Sequence, residues 1–158
     1  MSDGEMLLRL ACALAFGAAI GLEREFGGHH AGLRTHLMVT LGACIYALVS
    51  IVGAEGSRAA DPTRIASQVA VGVGFLGGGA ILREGRSVKG LTTAAGLWVG
   101  SAVGVASGFG MVKLTLVATI LALLFLAVFN RFERWLLNAV ARRTGRATPP
   151  PTGPDRPA

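Results

Sequence analysis

Apolar residues dominate this chain in five long runs, each separated from the next by charge, proline or glycine. The first covers residues 6–22, 17 positions broken only by Arg9, about the shortest run that crosses a bilayer. Arg9 is expected to snorkel outward along its own stem. Acidic Asp3 and Glu5 precede this run and Glu23, Arg24 and Glu25 follow it, so it reads as a retained helix and not as a cleaved leader. Twenty uncharged residues lie between Arg34 and Glu55, and 18 between Arg64 and Arg83, each enough for one crossing. They predict helices over about 36–53 and 64–82. The second of these opens on Asp61, Pro62 and Thr63, where an aspartate can cap free amides and proline suits a first turn. Residues 90–130 then give 41 positions with one charge, Lys113. As one helix they would extend roughly 60 Å, about twice the hydrocarbon core. The chain must therefore turn, and Ser107, Gly108, Phe109 and Gly110 are the place, which predicts helices over 91–106 and 111–130. Beyond Asn130 an amphipathic continuation carrying Arg131, Glu133, Arg134, Trp135, Arg142 and Arg143 is expected at the lipid surface. Residues 144–158 hold every proline but Pro62 and are expected to be a disordered cytoplasmic tail.

The pattern specifies an all-α polytopic membrane bundle of about five transmembrane helices within residues 1–143. Composition agrees: 52% of the 158 residues are hydrophobic, 15% are charged, and the mean hydropathy is +0.57, too apolar for an ordinary water-soluble domain. The 23 glycines sit mostly inside apolar runs, as packing residues of membrane helices do. Fifteen Lys and Arg outnumber nine Asp and Glu. This surplus is confined to short loops and the tail, so it reads as topology and not as a nucleic-acid surface. Eleven Lys and Arg fall on the side of the 23–34 loop, the 83–89 loop and the tail, and four on the other side. The positive-inside rule then puts the N-terminus outside and the C-terminus in the cytoplasm. Cys12 and Cys44 lie in separate apolar runs and read as small buried hydrophobes.

Candidate chemistry is sparse. Gly96, Gly100, Gly104 and Gly108 recur every four residues along helix 4, with shorter echoes at Gly17 and Gly21 and at Gly74 and Gly78. Such faces serve tight packing inside one subunit, a homo-oligomer interface, or a backbone-lined ion path. The first loop gathers Glu23, Arg24, Glu25, His29, His30, Arg34, Thr35 and His36. Its histidines are not at a metal-ligand spacing, and His29 and His30 are expected in solvent; the expected pairing is of Glu23 and Glu25 with Arg24 and Arg34. Asp61, Arg64 and Gln68 form a polar line expected to enter the bundle from the outer side, either as a capped helix with a snorkelling arginine or as an outer vestibule. In the second loop Arg83, Arg86 and Lys89 precede Thr92 and Thr93, and anionic lipid headgroups are their expected partners. No Walker, nucleophile-elbow or dinucleotide motif occurs, so neither catalytic residues nor a cofactor are expected.

Four segments together carry a resemblance: GLERE at 21–25, GLRTH at 32–36, DPTRIASQVAVGVGFLGGGAILRE at 61–84 and KGLTTAAGLW at 89–98. In these the chain resembles the MgtC/SapB family of bacterial membrane proteins over roughly residues 17–129. The resemblance implies an inner-membrane protein connected with growth in low magnesium and survival inside host cells. It also implies contact with other membrane proteins, the ATP synthase among them, and a magnesium-transport role has been proposed for the family. Longer members carry a folded cytoplasmic C-terminal domain where this chain has its Pro-rich tail. The matching polar positions are Glu23, Arg24, Glu25, Arg34, Thr35, His36, Asp61, Arg64, Gln68, Thr92 and Thr93. The reading that follows is a non-enzymatic regulator acting through helix contacts, with a carrier of magnesium or protons as the alternative.

Overall fold

Helix α1 begins earlier and ends later than the apolar pattern predicts. In a computed structural model, which describes residues 1–56, 60–84 and 87–144 and the side chains of all of these except 83, 84 and 129–144, it spans Asp3–Phe26. A reciprocal capping box starts it: the Glu5 amide donates to Ser2 Oγ at 3.3 Å and the Ser2 amide to Glu5 Oε2 at 3.1 Å. Asp3 and Glu5 also place negative charge at the positive end of the helix dipole. Helix α2, Leu33–Ala54, returns antiparallel, and the terminal ammonium of Met1 lies 3.7 Å from Glu55 Oε1 beyond its end.

Helix α3 spans Arg64–Ala80. Asp61 shapes the turn before it, accepting the Thr63 amide at 2.8 Å and the Thr63 hydroxyl at 2.7 Å. These two bonds hold the exposed Asp61 carboxyl below its ordinary range. The amide of Ile65 is instead capped from across the bundle, by Ser50 Oγ of α2 at 3.2 Å. After α3 a feature that the hydropathy pattern hides appears, a small antiparallel hairpin of β1 (Leu82–Glu84) and β2 (Ser87–Lys89) with Leu82 opposite Lys89. It leads into Gly90 at φ +87°, where a Cβ would strike the Ala80 carbonyl. Only glycine fits there.

Helix α4 spans Leu91–Gly108, and Gly110 at φ +73° completes the turn into α5, Val112–Thr144. The expected amphipathic continuation is thus the same helix as α5, unbroken; its side chains, and the tail from residue 145, lie outside the described residues. Helices α1, α2 and α4 are each long and apolar enough to cross a bilayer, whereas α3, about 25 Å at about 1.5 Å per residue, is shorter. Phe26, Met38, Val71, Phe75 and Trp98 point outward, with Phe26 86% exposed and Phe75 84%. A surface so rich in large apolar side chains belongs in lipid.

Helix α4 is the hub and touches all four others. Along α2 it runs in the same direction, with Gly100 against His36 and Thr40, Gly104 against Thr40 and Ala43, and Gly108 against Ala47. A Cβ at Gly104 would fall on the Thr40 carbonyl oxygen and 2.8 Å from Ala43 Cβ; one at Gly108 would sit 2.7 Å from the Cys44 carbonyl oxygen. From the other side α1 brings Gly17 onto the Thr40 hydroxyl and Gly21 onto the Leu33 backbone. Apolar contacts fill the rest, Leu97 with Val69 and Val73, and Ile20 with Val103 and Leu126. Buried hydroxyls of Thr40, Ser107 and Thr119 satisfy themselves on carbonyls one turn back.

Gly74 and Gly78, expected to pack as the α4 glycines do, meet nothing within 4 Å among the described residues, and it is Gly77 that faces α4, at Ala94. The buried stripe of α3 is Ala66, Val69, Val73 and Gly77, and Gly74 and Gly78 lie off it.

Glycine substitution therefore separates two faces of equal spacing. Gly104→Ala and Gly108→Ala should destabilise the bundle by about 1–3 kcal/mol, the usual cost of overpacking. Gly74→Ala and Gly78→Ala should leave it unchanged or slightly more stable. Thermal unfolding of purified protein in detergent measures this, and equal effects at both pairs would contradict the α2–α4 contact.

Candidate functional site

The close approach of α1, α2 and α4 buries polar side chains where α1 ends and the other two begin. Arg24 and His36 are both 0% exposed. Arg24 donates from Nε to Glu23 Oε2 at 2.5 Å, while its Nη1 and Nη2 have no hydrogen-bond partner among the described residues. His36 lies over the glycine face of α4: a Cβ at Gly100 would be 3.2 Å from its Nδ1 and one at Gly96 3.7 Å from its Cε1. Neither ring nitrogen has a hydrogen-bond partner among the described residues. The imidazole fits only because α4 presents no side chain there. Thr93, 5% exposed, is buried on α4 one turn before Gly96 and Leu97.

The loop is tied to this cluster. Glu25 Oε2 accepts the Leu33 amide at 2.9 Å, putting a carboxylate on the N-terminus of α2. The expected ion pairs thus form only in part: Glu23 pairs with Arg24, Glu25 binds backbone, and Arg34 and Thr35 are exposed. His29, expected in solvent, is half-buried and packs over Gly27, its amide donating to the Arg24 carbonyl at 3.0 Å. Burial, and then the Arg24 charge, lower its pKa from 6.5. His29 is therefore neutral in the folded loop, and its contribution to stability is full above about pH 6.5 and falls as the pH drops below it.

Asp61, Arg64 and Gln68 stand at the opposite end of the molecule, all exposed. The expected polar line does not enter the bundle. Arg64 and Gln68 lie one turn apart on the face of α3 opposite its buried stripe of Ala66, Val69, Val73 and Gly77. The sequence candidates form two groups, one at each end, with exposed Thr92 near the first.

Two residues outside the sequence candidates fix the helices that carry the site. Thr40 is wedged between Gly17 and Gly104, and its position four residues after His36, on the same helix face, was the signal that could have found it. Arg9, expected to snorkel outward, donates from Nη1 to the Gly108 carbonyl at 2.9 Å, a cation on the C-terminus of α4. Ninety-nine residues separate the two, and no local pattern encodes that contact.

Chemically, the cluster presents the unpartnered Arg24 N–H donors and the His36 imidazole, with the guanidinium charge balanced by Glu23. No three His, Cys, Asp or Glu converge among the described residues to hold a metal ion. An isolated buried guanidinium is costly, so Glu23 is what makes the burial of Arg24 tolerable.

A model of the MgtC family matches residues 10–135. The chain is 40% identical over 139 residues to the Escherichia coli K12 protein named "Putative magnesium transporter YhiD", an alignment covering 85% of this chain and 65% of that protein. It is 45% identical over 117 residues to protein MgtC of Salmonella typhimurium, covering 74% of this chain and 49% of that one. With uncharacterized protein slr0014 of Synechocystis it shares 46% over 111 residues, covering 70% and 46%. The chain spans about half to two thirds of the length of these curated relatives. No solved structure matches.

The ion pair yields its own test. Glu23→Gln should cost on the order of 2–3 kcal/mol, below the about 3–5 kcal/mol of a fully sequestered pair, because the Glu23 side chain keeps 23% exposure. Adding Arg24→Met to that variant should restore part of the loss, since the orphaned charge is then gone. Detergent melting curves decide, and a double variant less stable than Glu23→Gln alone would contradict the account.

Proposed function

The chain belongs to the MgtC family, and from that premise we propose that it is a non-enzymatic regulator in the bacterial inner membrane, linked to magnesium limitation and acting through contacts with other membrane proteins. The observation that carries this reading is the chemistry of the buried cluster. A path for a divalent cation needs oxygen ligands, commonly with one or two carboxylates, near the middle of the membrane. The fully buried charged side chain among the described residues is instead Arg24, a donor paired with Glu23 that offers a cation no ligand. Interior hydroxyls such as Thr40 and Ser107 donate to carbonyls of their own helices, and no Asp or Glu is buried beside them among the described residues. The exposed polar groups, Arg34 and Thr35 at one end and Asp61, Arg64 and Gln68 at the other, are placed to be read by a neighbour. The positive-inside count puts the first group at the cytoplasmic face, with the N-terminus outside.

The second reading is a carrier of magnesium or protons. One relative's printed name, a magnesium transporter, favours it.

Flux separates the two. Protein reconstituted in liposomes should give no magnesium or proton uptake above empty vesicles. In cells grown on low magnesium, Arg34→Ala and Asp61→Ala should abolish growth support while the amount in the membrane stays unchanged. Saturable uptake that disappears in Asp61→Ala would overturn the regulator and establish the carrier.

A further inference from the structure

The glycine face of α4 is tight along most of its length and loosens at one place. At Gly104 and Gly108 a Cβ would strike α2, and at Gly100 the nearest atom to it would be His36 Nδ1 at 3.2 Å. At Gly96 the nearest atoms would be His36 Cε1 at 3.7 Å and Nε2 at 3.9 Å, ordinary contact distances. The imidazole therefore lies with Nδ1 over Gly100 and Nε2 toward Gly96, and the packing opens beside Nε2.

Arg24 comes to the same layer from another helix. Along α1, Gly17 stands against Thr40 and Gly21 against His36, and Arg24 follows one turn later; along α4, Gly104 stands against Thr40 and Gly100 against His36, and Gly96 precedes by one turn. Arg24 and Gly96 are thus level with each other, on either side of the start of α2. Arg24 Nη1 and Nη2 and His36 Nε2 belong to side chains that are 0% exposed, and none has a hydrogen-bond partner among the described residues. Thr93, buried as well, lies one turn before Gly96.

We propose that this layer binds an internal water, which accepts from the Arg24 guanidinium and bridges it to His36 Nε2. The chemistry of the cluster selects this ligand. Guanidinium N–H groups need an acceptor, whereas an imidazole nitrogen takes either a donor or an acceptor, and water supplies both from one atom. A cation would meet donors. An anion would bury a charge without a counter-ion, because Glu23 already balances Arg24. An apolar occupant would leave the orphaned groups as they are, at a cost that buried water commonly removes. The water is sealed in by the same three helices that exclude bulk solvent, and the site does not depend on whether the protein regulates or carries.

Solid-state NMR of the full chain in lipid bilayers, with isotope-labelled histidine, tests the proposal directly. The imidazole resonance that His36→Gln removes should receive magnetisation from water in wild type and lose it in Gly96→Ala, whose methyl takes the space beside Nε2. Gly96→Ser puts a hydroxyl there instead and should melt close to wild type. Gly96→Ala should melt roughly 2–4 °C below Gly96→Ser, against the higher helix propensity of alanine. Absence of transfer from water to that resonance in wild type would overturn the proposal. So would a Gly96→Ala protein that melts above wild type, the behaviour of a dry space being filled. A melting temperature that climbs with chloride at constant ionic strength in wild type, but not in His36→Gln, would assign the site to an anion and overturn it equally.

Discussion

Backbone-to-backbone contact between α4 and α2 is the constraint from which the rest of the structure follows. Glycine at four successive turns of α4 removes the side chains that would hold two membrane helices apart, and the Thr40 carbonyl and the Ala43 methyl fill the space. In lipid no hydrophobic force draws helices together, so this fit and the dispersion contacts it allows supply the association energy. Once α2 is that close, His36 has room only against Gly96 and Gly100. Helix α1 closes the third side with its own small residues, Gly17 and Gly21, and in doing so carries Arg24 into the interior.

That burial gives the core its character. A guanidinium cut off from bulk water needs a counter-charge, and Glu23 provides one at the cost of leaving Nη1 and Nη2 without a partner among the described residues. The buried end of the bundle thus holds a balanced ion pair, and the other polar candidates, Arg34, Thr35, Asp61, Arg64 and Gln68, stay exposed at its two ends. Arg9 stabilises the opposite end by the same logic, its charge seated on the last carbonyl of α4. The hub helix is therefore fixed at its start by His36 and at its finish by Arg9. Its remaining face, between α3 and α5, is the one left open to lipid.

Much of the fold was legible in the sequence because hydropathy and turn chemistry are local. The turn at Gly108 and Gly110, the start of α3 after Pro62 and the four-residue spacing of the α4 glycines all read directly. Partners did not. The same spacing at Gly74 and Gly78 faces open space, since spacing reveals a small-residue face and says nothing of what covers it. Ser50 capping α3 and Arg9 capping α4 are long-range bonds without a sequence pattern. The hairpin at Leu82–Lys89 escaped because two three-residue strands are too short for alternation to show, and their basic residues resemble any membrane loop. At the site, the sequence singled out Arg24 and His36 as polar residues near a boundary, but a charged residue at a helix end is ordinarily solvated, and their complete burial depends on glycines in two other helices.

The central claim is that α1, α2 and α4 close completely over the Arg24–His36 cluster. Single cysteines placed at adjacent positions test it most directly, in protein whose Cys12 and Cys44 are replaced by alanine and which is kept in intact membranes. A membrane-impermeant thiol reagent should modify Thr35→Cys rapidly from one side and leave His36→Cys unmodified from both, at low and at high magnesium. Comparable modification at the two positions would mean that bulk water reaches the cluster, and would contradict a closed bundle.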